Sequence, residues 1–422
     1  MYKAPRGTSD VLPADQPYWR HALETATRMC ELRGYERIDT PVFEDAGLFV
    51  RTVGADTDIV EKEVYTFHDK GSSLLTLRPE GTAPVCRAYI EHGMRTLPQP
   101  VRLYYVAPLF RYERPQAGRF RQHHQFGFEA IGEADPALDA EVIDLAWQLY
   151  LALGLRGLVL YLNSIGDAAC RPAYLAALRH YYGPLRDRLC ADCRKRLERN
   201  PLRLLDCKQP GCAEFAADAP RSFEHLCAAC AAHFGAVRGY LDALGVEYTL
   251  EHRLVRGLDY YTRTVFEVQP PEEGAQSTIG GGGRYDGLIE QLGGPPTPGI
   301  GFATGLERIV LNLKRQGVAV APHACPIVYV AFAQTSVRTE ALRLLARVRA
   351  AGISAISAFG ERSLKAQLRD ASRQGARHAL LLGEEEVSQG LVTVRDLERG
   401  EQTRMPMEQA LEALRSEHPM AR

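Results

Sequence analysis

The stretch from residue 102 to 132, RLYYVAPLFRYERPQAGRFRQHHQFGFEAIG, constrains this chain more than any other. Residues 103–110 are aromatic, β-branched or apolar and read as a strand. Residues 125–131 alternate with period two and read as a second. Pro115 and Gly118 between them permit a turn, so the segment predicts an antiparallel hairpin with a long tip. Arg111, Arg114, Arg119 and Arg121 crowd that tip, while Phe110, Phe126 and Phe128 would anchor a sheet. A solvated hairpin laced with ion pairs is the plain alternative. The density of guanidinium groups, set beside Gln125 and Glu129, favours a site for phosphates instead.

With 422 residues the chain can build two or three domains, each with its own core. A hydrophobic content of 45% with 24% charged residues marks an ordinary globular protein, not a disordered one. The net charge of −1 decides nothing about nucleic acid, since a local basic patch can coexist with a neutral total. No apolar run reaches membrane-span length, and the opening MYKAPRGTSDVLPADQP is too polar to read as a secretory leader. A cytoplasmic, non-membrane protein is therefore expected, in which ten cysteines bind metal or stay free.

In chain order, Asp15 and Pro17 open a helix that Gly34 stops. Residues 35–43 read as a strand broken by Pro41. Residues 74–77 read as another, running into Arg78-Pro79-Glu80-Gly81-Thr82. That strand-to-helix corner suits capture of an ammonium group, or it is an ordinary helix cap. An amphipathic helix over 137–153 and an apolar strand over 158–163 follow the hairpin. Residues 166–250 read as an inserted helical module rich in cysteine and arginine. After it come Leu254–Tyr261 in sequence, LVRGLDYY, a β-rich 264–268, and the glycine run Gly280 to Gly283 leading into Arg284. The catalytic portion is expected to span 1–315 and a linker 316–325. Residues 326–422 alternate strand and helix as a small α/β domain with parallel strands.

Arg111, Arg256 and Arg308 each stand at a strand or helix end beside glycine or aromatic residues. Singly, each reads as a surface arginine. Together, in a domain whose strands could form one antiparallel sheet, they suit a phosphoryl reaction that needs positioning and charge neutralisation. Neither the P-loop nor the dinucleotide glycine pattern is present, so a nucleotide would lie on the sheet itself.

These segments identify the chain as a member of the class II aminoacyl-tRNA synthetases, of α+β fold, and within them it resembles the histidyl-tRNA synthetases. FRYER at Phe110 to Arg114 resembles the class's second motif, GIGFATGLER ending at Arg308 the third, and the segment from Pro41 to Phe49 the dimer-forming first. LVRGLDYY and GGRYDGL resemble signatures of the histidine-specific members. The resemblance implies ligation of L-histidine to its tRNA through a histidyl-adenylate, in a homodimer, with ATP and Mg2+. It implies that Glu80, Thr82 and Gln125 hold the α-ammonium, and that Glu129, Tyr260 and Tyr261 line the side-chain pocket. Arg111 would contact the α-phosphate and the carboxylate, Arg256 the α-phosphate from across the site, and Arg308 the γ-phosphate. Glu113, Arg119 and His123 fall on the ATP side, with His123 where the family usually carries phenylalanine against adenine. Gln116 and Arg121 match positions near the tRNA acceptor end, and the C-terminal domain resembles an anticodon-binding domain.

A carboxylate and a phenol are chemically suited to a ring with one donor and one acceptor nitrogen. Two other readings compete with the ligase. One is a histidine-sensing regulatory paralogue, which typically loses catalytic arginines that this chain keeps. The other is a synthetase for a different amino acid, which RGLDYYTRTVFE and GGRYDGL oppose. Separately, Cys190-x2-Cys193 and Cys227-x2-Cys230, with Cys207 and Cys212 between, form a four-thiolate zinc pattern; free, reduced thiols are the alternative.

Overall fold

The computed structural model describes residues 2–53, 63–113, 120–271, 278–321 and 327–417. Two compact units emerge, Met1–Val320 and Ala321–Arg422. The first runs α1 (Gln16–Glu31), β1 (Glu36–Arg37), β2 (Phe43–Asp45), α2 (Ala46–Val53), β3 (Tyr65–His68), β4 (Leu74–Leu77) and α3 (Thr82–Glu91). The hairpin strands β5 (Val101–Phe110) and β6 (Gln122–Ile131) follow, then α4 (Pro136–Ala152) and β7 (Val159–Ser164). The insertion is helical, with α5 (Arg171–Tyr182), α6 (Ala191–Arg199), α7 (Pro210–Ala217) and α8 (Ala228–Ala243). The unit closes with β8 (Thr249–Leu250), β9 (Thr262–Gln269), β10 (Gly280–Arg284), α9 (Leu288–Gln291), β11 (Gly299–Gly305) and α10 (Leu306–Arg315).

Among the described residues an eight-stranded sheet takes the order β1-β5-β6-β11-β10-β9-β7-β8. Its central pairs are antiparallel, and only the short end strands β1 and β8 pair in parallel. The period-two pattern of β6 divides its two faces. Phe126, Phe128 and Ala130 pack with Phe302 of β11 and Phe266 of β9 into a core shared with α1, α4 and α10. The opposite face carries Gln125, Gly127 and Glu129.

The glycine run does not merely lead into Arg284: Gly280 to Gly283 are themselves the strand β10 in the middle of the sheet. Glycine is usually poor in strands, so the reason lies in what surrounds it. Gly282 is in register with Phe302 on one side and Phe266 on the other. Those two rings lie parallel with centroids 6.0 Å apart. A Cβ at Gly282 would sit 2.0 Å from the Gly301 carbonyl oxygen. On the other face, a Cβ at Gly281 would come within 2.8 Å of the Arg256 guanidinium, and one at Gly283 within 2.9 Å of the Tyr261 ring. The run is a bare floor that admits larger side chains.

Arg284, at the end of this strand, is fully buried on the core side. Its Nε donates to Asp139 Oδ1 of α4 at 2.6 Å, while Asp139 Oδ2 meets His233 Nε2 of α8 at 2.9 Å. The arginine of GGRYDGL therefore ties sheet to helices.

The second unit contains β12 (Ile327–Phe332), α11 (Arg338–Ala350), β13 (Ala355–Ser357), α12 (Leu364–Arg373), β14 (Ala376–Leu382), α13 (Glu384–Gln389), β15 (Leu391–Asp396), β16 (Gln402–Pro406) and α14 (Met407–Glu417). Its sheet order is β13-β12-β14-β15-β16. The expectation of parallel strands holds for β12, β13 and β14, but β15 and β16 are antiparallel. The turn between them is too short for a crossover helix, and a short turn can join only antiparallel neighbours. Asp396 Oδ1 closes it by accepting the Glu398 and Arg399 amides at 2.8 and 2.9 Å, and Gly400 supplies a φ of 74°.

Candidate active site

Three distant segments converge on the open face of the large sheet. Arg111 follows the end of β5, Arg308 lies in the first turn of α10, and Arg256 precedes β9 on the chain returning from the insertion. All three line one cleft of about 1200 Å³, with His123, Gln125 and Glu267. Arg111 Nε donates to the Pro79 carbonyl at 2.8 Å, and its Nη1 lies 4.0 Å from Glu113 Oε1. Arg256 forms a short ion pair with Glu267. Burial opposes the charge on Arg256, yet Glu267 holds its pKa above the ordinary arginine value. Arg308 Nη1 donates to the Thr278 carbonyl.

Beside the cleft, where the Arg256 guanidinium lies 5.7 Å from the Tyr261 ring, is a buried polar cluster. Glu80, Thr82, Glu129, Tyr260 and Tyr261 are all buried there. Glu129 Oε1 accepts from Thr82 Oγ1 at 2.7 Å, and Oε2 accepts from the Tyr285 hydroxyl at 2.7 Å. Burial is the main reason its pKa rises to about 8, with the nearby Glu80 carboxylate adding to the shift. A Cβ at Gly301 would lie 1.7 Å from Glu129 Oε2, so β11 must be bare where this carboxyl stands.

Glu80 realises the helix-cap alternative. Its carboxylate accepts the Thr82 and Ala83 amides at 2.7 and 2.8 Å, at the start of α3. The Tyr260 hydroxyl also approaches it at 3.4 Å. Burial raises its pKa above the ordinary carboxylate value.

Gln125, on β6 in the cleft lining, accepts from the Tyr105 hydroxyl at 3.1 Å. The Tyr105 ring fills space left by Gly81 and Gly127, where a Cβ would come within 2.4 and 2.3 Å of it. His123 lies between Arg111 and Arg308. Burial, then the two guanidinium charges, push its pKa down to about 3, so the ring is neutral at any ordinary pH. Arg121 stacks over the Tyr112 ring at 3.8 Å, while Gln116 and Arg119 lie outside the described residues.

Three contributors are missing from the residues expected at the site. Tyr285 sits in the quoted GGRYDGL stretch, but only the tertiary structure aims its hydroxyl at Glu129. Glu267 had a signal, since it is the charged residue in the alternating strand TVFEV; its register with Gly281 brings it beside Arg256. Tyr105, inside an apolar run, offered none.

The cysteines divide differently from the expected set of Cys190, Cys193, Cys227 and Cys230. Cys190 and Cys193 meet Cys207 and Cys212, whereas Cys227 and Cys230 meet Cys170 and Asp167. The two Cys-x2-Cys pairs begin different helices, α6 and α8, and each helix N-terminus finds its own neighbours.

Comparisons with known proteins show which family the chain resembles over nearly its whole length. A family model described as histidyl-tRNA synthetase matches residues 7–309, and one for an anticodon binding domain matches residues 325–417. The chain is 57% identical over 411 residues to a Dehalococcoides mccartyi protein named histidine–tRNA ligase, covering 97% of this chain and 98% of that one. A Pelotomaculum thermopropionicum protein of the same name is 52% identical, with 97% of each chain covered. The crystal structure of the apo histidyl-tRNA synthetase of S. aureus matches with a TM-score of 0.83 at 38% identity, over 98% of this chain and 100% of that one.

Proposed function

Because the chain belongs to the histidyl-tRNA synthetase family, a class II aminoacyl-tRNA synthetase family, we propose that the cleft and the buried polar cluster beside it are the ATP and histidine sites of a histidine–tRNA ligase. The activity is the ATP-dependent joining of histidine to its tRNA for translation. One observation carries the assignment of the site. Three arginines from separate segments face one cleft, beside a buried polar cluster of Glu80, Glu129, Tyr260 and Tyr261, with the Arg256 guanidinium 5.7 Å from the Tyr261 ring.

Histidine enters with its ammonium toward Glu80, Thr82 and Gln125, displacing part of the cluster's internal hydrogen bonding. Its imidazole meets Glu129 and Tyr261, with Tyr260 alongside. An apolar amino acid would leave these buried groups unpaired, which is a strong basis for rejection. The carboxylate oxygen attacks the α-phosphorus of ATP, and diphosphate leaves. Negative charge gathers on the α-phosphoryl oxygens, between Arg111 and Arg256, while Arg308 holds the γ-phosphate. Glu267 keeps the Arg256 guanidinium charged and aimed. His123, and Arg119 with it, belongs to the adenine side, where a neutral imidazole offers a stacking face beside two cations. Glu113, a hard oxygen donor, would hold a Mg2+ bound with the phosphates, which would supply charge neutralisation there. In the second step the terminal ribose hydroxyl of the tRNA attacks the acyl carbon and AMP departs. Gln116 and Arg121 receive the acceptor end, and the C-terminal unit reads the anticodon.

The reading includes a cytoplasmic homodimer. Phe43 and Phe67, on one face of the three-stranded sheet β2-β4-β3 with ring centroids 6.3 Å apart, are exposed in the single chain and offer an apolar face to a second copy. No helix among the described residues is long and apolar enough to cross a membrane. Histidine-dependent ATP–diphosphate exchange, followed by charging of histidine tRNA, tests the proposal. Exchange at background level with folded protein would remove it.

A further inference from the structure

The insertion contains two groups of metal-ligating side chains that the ligation chemistry does not use. We propose that it binds two soft divalent cations of the zinc type. One is held by Cys190, Cys193, Cys207 and Cys212, the other by Asp167, Cys170, Cys227 and Cys230, and together they brace the two ends of the segment from Arg256 to Arg263.

In each group the ligand atoms all lie within 4.8 Å of one another. Tetrahedral zinc, about 2.3 Å from each sulfur, requires sulfurs about 3.8 Å apart. The Cys190 and Cys207 sulfurs are already at 4.0 Å, so closing the shell needs only small side-chain shifts. A disulfide would need them about 2.05 Å apart. The backbone is also arranged for thiolates. The Cys193 amide donates to Cys190 Sγ at 3.4 Å, the Cys190 amide to Cys212 Sγ at 3.3 Å, and the Asp167 amide to Cys170 Sγ at 3.4 Å. Such N–H groups orient ligating sulfurs and favour their ionised form. Cys190 moreover caps the N-terminus of α6 through its sulfur, and Cys227 stands at the corresponding N-cap position of α8. Arg194, Lys195 and Arg196 follow directly and offset the excess charge of a four-thiolate site.

Both sites touch the same functional segment. Arg203 lies between the Cys193 and Cys207 ligands. It pairs with Asp206 at 2.8 Å and donates to the Arg256 carbonyl at 3.4 Å, while Asn200 donates to Asp259 at 3.1 Å. At the other end, Asp167 pairs with Arg263 at 3.5 Å, and the Arg263 amide donates to the Gly166 carbonyl at 2.8 Å. Arg171, one residue after Cys170, donates to the Tyr261 carbonyl at 2.6 Å. Arg263 itself is held at a φ of 52°, a conformation that surrounding structure must enforce. The metals are thus structural and the residues they fix include Arg256, Tyr260 and Tyr261.

The test is independent of ligase activity. Full-length protein, purified with reductant and without chelator, is dialysed and its metal counted by mass spectrometry. About two equivalents of zinc per chain are expected, and less than about a tenth would overturn the inference. Cys190→Ser and Cys227→Ser should each lose about one equivalent. Cobalt-grown protein should show thiolate-to-cobalt charge-transfer bands that weaken stepwise in the two variants. If a variant does not fold, the wild-type metal count still decides. A single equivalent would overturn the site whose variant leaves that count unchanged. Metal-free protein with fewer reactive thiols on denaturation would mean disulfides and overturn both. Cys227→Ser should raise KM for histidine several-fold more than KM for ATP; metal loss without that split would overturn the bracing role.

Discussion

Arg256 keeps its charge beside Glu267 and on the cleft wall, so its replacement should be felt where phosphoryl charge develops and little in ground-state binding of histidine. Arg256→Ala is expected to cut histidine-dependent exchange by about a hundredfold or more, with histidine affinity by calorimetry nearly unchanged. Exchange within a few-fold of wild type would show that the arginine is not at the reacting phosphorus. Glu129 makes a different kind of prediction. Its folded pKa, about 8, lies above the value near 4.3 of an unfolded carboxyl. In that interval the folded protein holds a proton that the unfolded chain has lost, so stability falls as pH rises toward 8 and levels off above it. Glu80, also raised by burial, acts with the same sign. Glu129→Gln should therefore flatten the decline of Tm with pH between about 5 and 8 in ligand-free protein. A variant whose Tm follows pH as the wild type does would contradict the buried, protonated carboxyl.

Among the elements, β10 is the one whose composition and position disagree most with simple propensity. Its glycines are required by contact with Tyr150 and the Gly301 carbonyl on one face, and with Arg256, Tyr261 and neighbouring carbonyls on the other. Gly282→Ala would push a methyl into the Gly301 carbonyl, and neither strand can yield without disturbing the Phe266–Phe302 stack. A loss of about 1–3 kcal/mol is expected from overpacking, measured by denaturant unfolding. Gly235→Ala, where nothing lies within 4 Å of the added carbon on α8, should be neutral or stabilising by comparison. The hairpin of β5 and β6 behaves oppositely. Its alternation, turn residues and terminal arginine are local signals, so strand identity and the facing of Gln125 and Glu129 are legible in the order of residues alone. The partners of those side chains are not, because Tyr105, Tyr285 and Gly301 reach them only through strand pairing.

At the scale of the molecule, each unit has a core of its own: one around the eight-stranded sheet and one around Val328, Val330, Leu344 and Leu380. A chain ending at Val320 should therefore keep histidine-dependent exchange within a few-fold, while charging of histidine tRNA falls by a much larger factor. Loss of exchange by a folded truncation would refute the division of labour. Amino-acid order alone determined the helical, strand and turn signals, the crowd of arginines and the motifs that mark the family, because each depends on near neighbours along the chain. Tertiary structure alone decided that a glycine run is a central strand, that Arg284 serves the core while Tyr285 serves the site, and that the two Cys-x2-Cys pairs belong to separate clusters. Those outcomes turn on which distant segments come within a few ångströms of one another, and spacing in sequence carries no measure of that distance.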